Sequence, residues 1–347
     1  MSDADKEALR PSKLPVGRIR LTDPAAAGAK CPFRDLPRTE PGEAASARKG
    51  LTVVAIPDDR NDNNVFVSQT TLLFSLLHNG LVDLLHRDRM AAGDASPKTK
   101  TQAYFAGLYE AAKALATDTY RRIVREDLLR RLLHPAVYAL YNRPDPFYFD
   151  DRPDTALTYE YAQALRFGHA MVRPHYRVND VVRRREELID ALLTTSRARP
   201  WRLPLDESWP VQWSKFYRVG ASTPNFSRRL APSFSIDLVS GLVFERIDTT
   251  DTPGLGYRDL INAAGMPVWS VEALIAELCP QAPRFFADSP LVTEAGHRGQ
   301  VLRQWLSHRR EATGLTDEDI EALAADPPLF LFILLEAAEE ARGRHLG

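Results

Sequence analysis

The 347-residue chain carries 45 Lys and Arg against 46 Asp and Glu, a net charge of −1, and 44% of its residues are apolar. That balance gives no electrostatic ground for nucleic-acid or anionic-membrane partners, and the two cysteines, Cys31 and Cys279, imply no disulfide framework. The opening MSDADKEALRPSKLPVG lacks the apolar core of a signal peptide, and the longest apolar run, Leu329 to Leu335, falls far short of the ~20 residues of a spanning helix, so a soluble cytoplasmic protein of one large or two ordinary domains is expected.

Residues 1–49 are rich in Pro, Ala, Gly and charge and show no sustained period. They predict an extended N-terminal arm, partly disordered, wrapping a body formed by residues 50–347. The β-branched run LTVVAI, Leu51 to Ile56, predicts one strand or an extended segment, closed by Pro57. From Asn64 to about Asp88, Val67, Leu73, Leu77, Leu81, Leu84 and Leu85 keep helical spacing. Thr101 to Leu133 predicts one or two further helices through Tyr104, Leu108, Tyr120, Ile123, Val124 and Leu128, and His134-Pro135 breaks that pattern. Tyr141 to Asp154, aromatic and bearing Pro and Asp, predicts a loop. A helix over about Leu157 to Val172 follows, and another around Val181 to Leu193.

Trp201 to Arg229 is expected to be mostly irregular, with Trp201, Trp209 and Trp213 packing it. Helices are predicted near Ser235–Phe244, Ser270–Glu277, Gly299–Thr313, Thr316–Ala325 and Pro328–Arg342. Thr316 with Asp319 three residues on has the form of a weak capping box. The sum is a mainly α protein with long irregular connections, of a kind that often wraps a cofactor or another element.

The stretch with the most chemical content is Ala164 to Arg177, ALRFGHAMVRPHYR. Leu165, Phe167, Met171 and Val172 share a broad apolar face, and Pro174 closes the helix. Gly168 costs helix stability by ~1 kcal/mol against alanine. In return it leaves no Cβ beside His169, so a flat ligand can lie over that turn with the imidazole aimed at it. Arg166 and Arg173 flank the histidine, where they can meet acidic groups at a ligand's edge. The plainer reading is a core histidine in an amphipathic helix. His78, on another apolar helix, is expected to be a core histidine, and His175, past Pro174, to be exposed. His86, His134, His297, His308 and His345 show no metal-ligand spacing. Gly-rich phosphate loops, nucleophile elbows and CxxC pairs are absent from the sequence.

Residues 58–79, DDRNDNNVFVSQTTLLFSLLHN, together with RFGH at 166–169, resemble the animal haem peroxidase (peroxidase–cyclooxygenase) superfamily, most of all its bacterial members. There an Asp-x-Arg-Asn-Asp-Glu-Asn segment leads into a helix ending in His-Asn, and Arg-Phe-Gly-His follows further on. The resemblance extends through WPVQWSKFY (Trp209 to Tyr217) and PPLFLFILLEAAEEARGRHLG (Pro327 to Gly347). It implies a haem-peroxidase-like helical domain that binds haem b, with His169 as the proximal iron ligand and Arg60 as the cation over bound peroxide.

The family's distal histidine lies in a Gln-x-x-x-His-Asp segment well before the Arg60 position, and the 59 residues before Arg60 contain no histidine. The distal portion, with its calcium-binding loop, is expected to be missing. The base would then come from a separate distal-half polypeptide or from a second copy in a homo-oligomer. Asn63 stands where many relatives carry a haem-linked glutamate. An alignment of the family's Arg-Asn-Leu-Leu-Arg-Gly with residues 245–250 puts Arg246 where the asparagine partner of the proximal histidine sits, and Thr249 where an arginine grips a haem propionate. An arginine cannot accept a hydrogen bond from imidazole. The implied function is H2O2-dependent oxidation of a small organic electron donor. The alternative is a non-catalytic relative acting as a binding or scaffold subunit, or a truncated product.

Overall fold

A computed structural model describes residues 7–21, 33–39, 53–93, 101–144, 158–181, 186–195, 199, 202–239 and 254–346. In chain order the longer elements are the strands β1 (Gly17–Arg18) and β2 (Arg34–Asp35) and the helices α1 (Val65–Ala91), α2 (Gln102–Arg122), α3 (Pro135–Tyr141) and α4 (Thr158–Ala164). Then come β3 (His175–Tyr176), β4 (Glu186–Glu187), α5 (Leu188–Leu193), α6 (Leu255–Ala264), α7 (Val271–Gln281), α8 (Ala295–Ser307), α9 (Asp317–Ala325) and α10 (Leu329–Glu340). Two antiparallel pairs, β1 with β2 and β3 with β4, are the strand pairings formed by these elements. The protein is mainly α, as the periodicity predicts.

The helix boundaries follow local chemistry. Asn64 caps α1 by accepting from the Val67 amide, and Thr101 caps α2 through the Tyr104 amide. His134 caps α3 and Pro135 occupies its first position, where the missing N–H costs nothing. The Thr316–Asp319 capping box is complete in both directions at the start of α9.

One expectation is corrected. The helix expected over Val181 to Leu193 is only α5, because Glu186 and Glu187 pair as a strand with Tyr176 and His175; residues 182–185 lie outside the described set. The described part of Leu51 to Ile56 is an extended segment, bridged to Arg38 through Val54. Helix α6 was not anticipated. The loop expected at Tyr141–Asp154 lies outside the described residues from 145 on, as do Cys31, Trp201 and the aligned segment 245–250. Cys279 is a free thiol.

Contacts divide the chain into two compact units. The first comprises Met1–Ile123, Pro174–Phe226 and Arg246–Thr249, and the second Val124–Arg173, Ser227–Glu245 and Thr250–Gly347. In the first, α1 and α2 enclose Leu9, Val82, Tyr104, Leu108 and Ala112. Val65, Val178, Ala191, Leu205 and Trp209 form a second nucleus, against which Phe66, Tyr176, Trp213 and Phe216 pack. Helix α1 has the length and apolar composition to cross a membrane. Its buried face, however, carries Ser68, Gln69, His78 and His86. Gln69 bonds the Arg34 carbonyl and the Val211 amide, and His86 bonds the Tyr104 hydroxyl at 2.7 Å.

The described parts of the N-terminal stretch are tied to this unit by a buried charge cluster. Arg38 donates to Asp35 at 2.9 Å and to Asp62 at 2.8 Å, with all three side chains nearly solvent-free. Asp35 also accepts from the Leu36 and Leu205 amides. Removing one member of such a cluster leaves an uncompensated buried charge. Arg38→Met is expected to cost about 3–5 kcal/mol, read as a lower urea midpoint with an unchanged slope.

In the second unit, α10 is the central hydrophobic element. Phe330, Leu334 and Ala337 pack with Ala170 and Leu230 on one side, and Phe332 packs with Val271, Leu291 and Val292 on another. Beside them the buried Arg298 guanidinium bonds Glu272 and the carbonyls of Leu291 and Val292.

Candidate functional site

Helix α4 does not continue as an α-helix. From Leu165 to Met171 it tightens into a 3-10 helix, an unusually long run for that geometry. Phe167, Ala170 and Met171 turn inward onto α10, Leu230 and Phe234. With three residues per turn, side chains three apart stand in line. Arg166 and His169 therefore stand in line, with Gln163 at the end of α4 completing a column that faces Asp259 and Asn262 of α6 and Met266 just beyond it.

The contacts run in register. Gln163 Nε2 donates to Asn262 Oδ1 at 3.2 Å and approaches Met266 Sδ at 3.3 Å. Arg166 donates to Asn262 Oδ1 at 2.7 Å and to Asp259 Oδ1 at 2.6 Å. His169 Nδ1 bonds the other oxygen, Asp259 Oδ2, at 2.7 Å. The Asp259 side chain is fully buried, so its charge depends on these two partners. Glu160, also buried, accepts from the Trp269 amide at 2.7 Å and fastens α4 at its other end.

Two features hold α6 in place for this. Gly254, its N-cap, lies so close to the Val239 carbonyl that a Cβ would sit 1.9 Å from that oxygen. Gly256 similarly lies against the Phe234 ring. Both glycines are there for close approach rather than for a positive φ.

Asp259 bonding fixes which way His169 works. A carboxylate at Nδ1 makes that nitrogen the donor, so in the neutral imidazole the lone pair is the one on Nε2. Nε2 has no hydrogen-bond partner among the described residues, and the side chain is 34% exposed. A Cβ built on the adjacent Gly168 meets nothing within 4 Å outside its chain neighbours, so Gly168 itself faces open space. Two buried atoms of the same column, Arg166 Nε and Gln163 Oε1, lack partners among the described residues. Unsatisfied buried groups are unusual and gather at functional places. An imidazole held by a carboxylate at one nitrogen and free at the other is the donor that a single axial metal bond requires. On this face the one group with the donor chemistry of a haem axial ligand, among the described residues, is His169. Among the described residues no group of three or more His, Cys, Asp or Glu could hold a metal ion on its own.

The other candidates are placed as follows. Arg166 serves Asp259 and Asn262. Arg173 is half-buried and has partners of its own. Arg60, in the first unit, lies on the 3-10 turn Asp59–Asp62. Its side chain is 81% exposed and closes on Asp58 at 2.6 Å, and the guanidinium holds the Asp58 carboxyl down at about 2. His78 is a buried core histidine, between Asn79 and the Tyr109 carbonyl. His175 is exposed on β3. His169 lines none of the three cavities described within the units.

Asp259 was not legible as a site residue. The available signal was a helix bracketed by Gly254 and Gly265. But the apolar residues of α6, Tyr257, Leu260 and Ile261, are exposed, while Asp259 is buried. An amphipathic reading turns this helix the wrong way round.

The family model described as animal haem peroxidase matches residues 1–226. That range includes Arg60 and His169 and stops before Asp259. No curated protein matches the chain.

If Asp259 anchors the column, Asp259→Ala should lower unfolding free energy by about 1–3 kcal/mol, because Arg166 and His169 each lose an acceptor. Asp259→Asn keeps one acceptor oxygen and should lose clearly less. Urea titrations of the two variants check the order; equal losses would mean that packing, not the paired hydrogen bonds, is what matters there.

Proposed function

The chain belongs to the animal haem peroxidase family, and we propose that it binds haem b through His169 Nε2 and takes part in H2O2-dependent oxidation of a small organic electron donor. The observation that carries this reading is the 2.7 Å bond from His169 Nδ1 to the buried Asp259. A bound haem, held by His169, would supply the redox chemistry: two-electron reduction of peroxide balanced by withdrawal of one electron from each of two donor molecules.

What the protein's own residues do follows from their placement. Asp259 holds the Nδ1 proton and keeps the ring from turning. It also raises the donor strength of Nε2, because partial negative charge is pushed into the imidazole. Arg166 donates to the other carboxylate oxygen and so helps hold Asp259 against the ring. The pair is more strongly polarising than the neutral asparagine that the resemblance implies for that place. It also makes the identity of residue 246 less important.

Arg60 is the candidate cation for the charge on cleaving peroxide. To act there it must exchange Asp58 for the peroxide oxygens. An exposed ion pair of this kind opposes that little. The base that takes a proton from one peroxide oxygen and returns it to the other is assigned to a partner, either a distal-half polypeptide or a second copy of the chain. Without it, turnover should fall by about 10²–10⁴.

A second reading is favoured by Arg60 itself. With that guanidinium turned to Asp58 at the surface, a non-catalytic binding or scaffold subunit needs no distal chemistry at all. Hemin titration of the purified chain separates the two. The first reading predicts stoichiometric uptake with a Soret band that His169→Ala removes or shifts, while Arg60→Ala leaves binding unchanged and slows peroxide consumption. A folded chain that takes up no hemin supports the second.

A further inference from the structure

The second unit contains a cavity of about 350 Å³ between α7, the turn 283–289 and α10. Leu274, Leu278, Phe286, Phe332 and Ile333 supply apolar walls. At one side stand Glu336, Glu340, Asp288, Ser289 and the imidazoles of His134 and His345. We propose that this cavity binds an organic cation, an ammonium group carried on an apolar body, with Glu336 as its counter-ion. The site lies apart from the His169 column and does not depend on the haem reading.

The polar residues here are not equivalent. Glu340 is committed: it accepts from Ser289 Oγ at 2.9 Å and from the Leu291 amide at 3.0 Å. His134 Nδ1 accepts from the Ala136 amide, and His345 Nδ1 faces the Leu346 carbonyl at 2.9 Å. The two rings meet edge to face at 5.3 Å. Among the described residues neither Glu336 nor Asp288 has a hydrogen bond or an ion pair, and of the two Asp288 is exposed whereas Glu336 is partly buried. Burial, with repulsion from Glu340 one turn on, pushes its carboxyl up to about 7.

Glu336 is partly buried on the wall of this largely apolar cavity, where an unpartnered carboxyl is disfavoured in its charged form. The chain would gain by an apolar residue at this position unless something outside the chain meets it. The occupant's chemistry follows from the lining. An anion would face Glu336, Glu340 and Asp288 together. A bare metal ion would lack ligands, since the described residues contain no metal-holding group. A neutral apolar molecule would leave Glu336 as it is. A cation with an apolar body satisfies the charge and fills walls made of leucine and phenylalanine, in a volume ordinary for small-molecule sites.

Calorimetric titration of the full chain with 4-phenylbutylamine, 4-phenylbutanol and 4-phenylbutyrate tests this. The amine should bind at least about ten-fold more tightly than the alcohol, the usual advantage of a charge-assisted contact, and the carboxylate should not bind. Amine affinity should rise several-fold between about pH 6 and about pH 8, as the proton on Glu336 stops competing. Glu336→Gln should bring the amine down to the alcohol's affinity and abolish this pH dependence, which an effect of His134 or His345 would leave in place.

The variant's own melting is a second check. A carboxyl raised in the folded state contributes stability fully present below its unfolded value and lost as pH rises through about 7. Glu336→Gln should therefore melt higher than the parent at about pH 8 and alike at about pH 4. Equal affinity for amine and alcohol, unchanged amine binding by Glu336→Gln, or no amine binding at millimolar concentration overturns the proposal.

Discussion

One carboxylate holds the functional half of the second unit together. Asp259 is fully buried and meets two cations-in-waiting from the same column, the Arg166 guanidinium on one oxygen and His169 Nδ1 on the other. A charge withdrawn from water in this way is tolerable only while both partners stay in place. The bond therefore works in two directions. It fixes the imidazole's tautomer and aim, and it obliges α6 to remain beside α4 and the 3-10 segment. Remove Asp259 and the histidine becomes a partly exposed ring on a frayed turn.

The winding of the chain is what makes the arrangement possible. In an ordinary α-helix, residues three apart diverge by about 60° around the axis, and Arg166 and His169 would not both reach one carboxylate so easily. Tightening to three residues per turn aligns them. The inward side of the same segment explains why the tight winding is retained: Phe167, Ala170 and Met171 are packed on α10. Gly168, next to His169 in the chain, itself faces open space. Core packing, backbone geometry and a presented lone pair are thus properties of one seven-residue stretch. The first unit has its own counterpart in the Asp35–Arg38–Asp62 cluster, where buried charges tie the N-terminal stretch to the 3-10 turn Asp59–Asp62 ahead of α1 and, through the Leu205 amide, to the segment at 203–205.

Much of this was visible in the sequence, for physical reasons. Helix α1 announces itself through leucines at helical spacing and an asparagine cap, and α9 through Thr316 and Asp319. Gly168 before His169 and Pro174 after it draw attention to that histidine, because both residues disfavour a continuous helix. The fold class follows from these periodicities. Three things were hidden. The change from α to 3-10 winding leaves no mark in apolar spacing over seven residues. The partner of His169 is ninety positions away on a helix whose apolar residues face outward, so pattern reading looks past Asp259. And the search for that partner among residues 245–250 relied on alignment to a family motif, whereas the hydrogen bond is made by the next helix. Arg60 was legible as part of a motif but not as a surface residue paired with Asp58, since nothing in a local sequence reports where a side chain turns.

The measurement that bears most directly on His169 and Asp259 is the iron–histidine stretching band in the resonance Raman spectrum of the reduced, hemin-loaded protein. A carboxylate at Nδ1 strengthens the axial bond. The band should be present in the parent chain, absent in His169→Ala, and moved to clearly lower frequency in Asp259→Asn, where a neutral amide replaces the charge. A band that survives in His169→Ala, or that stays at the same frequency in Asp259→Asn, would contradict the assignment of these two residues.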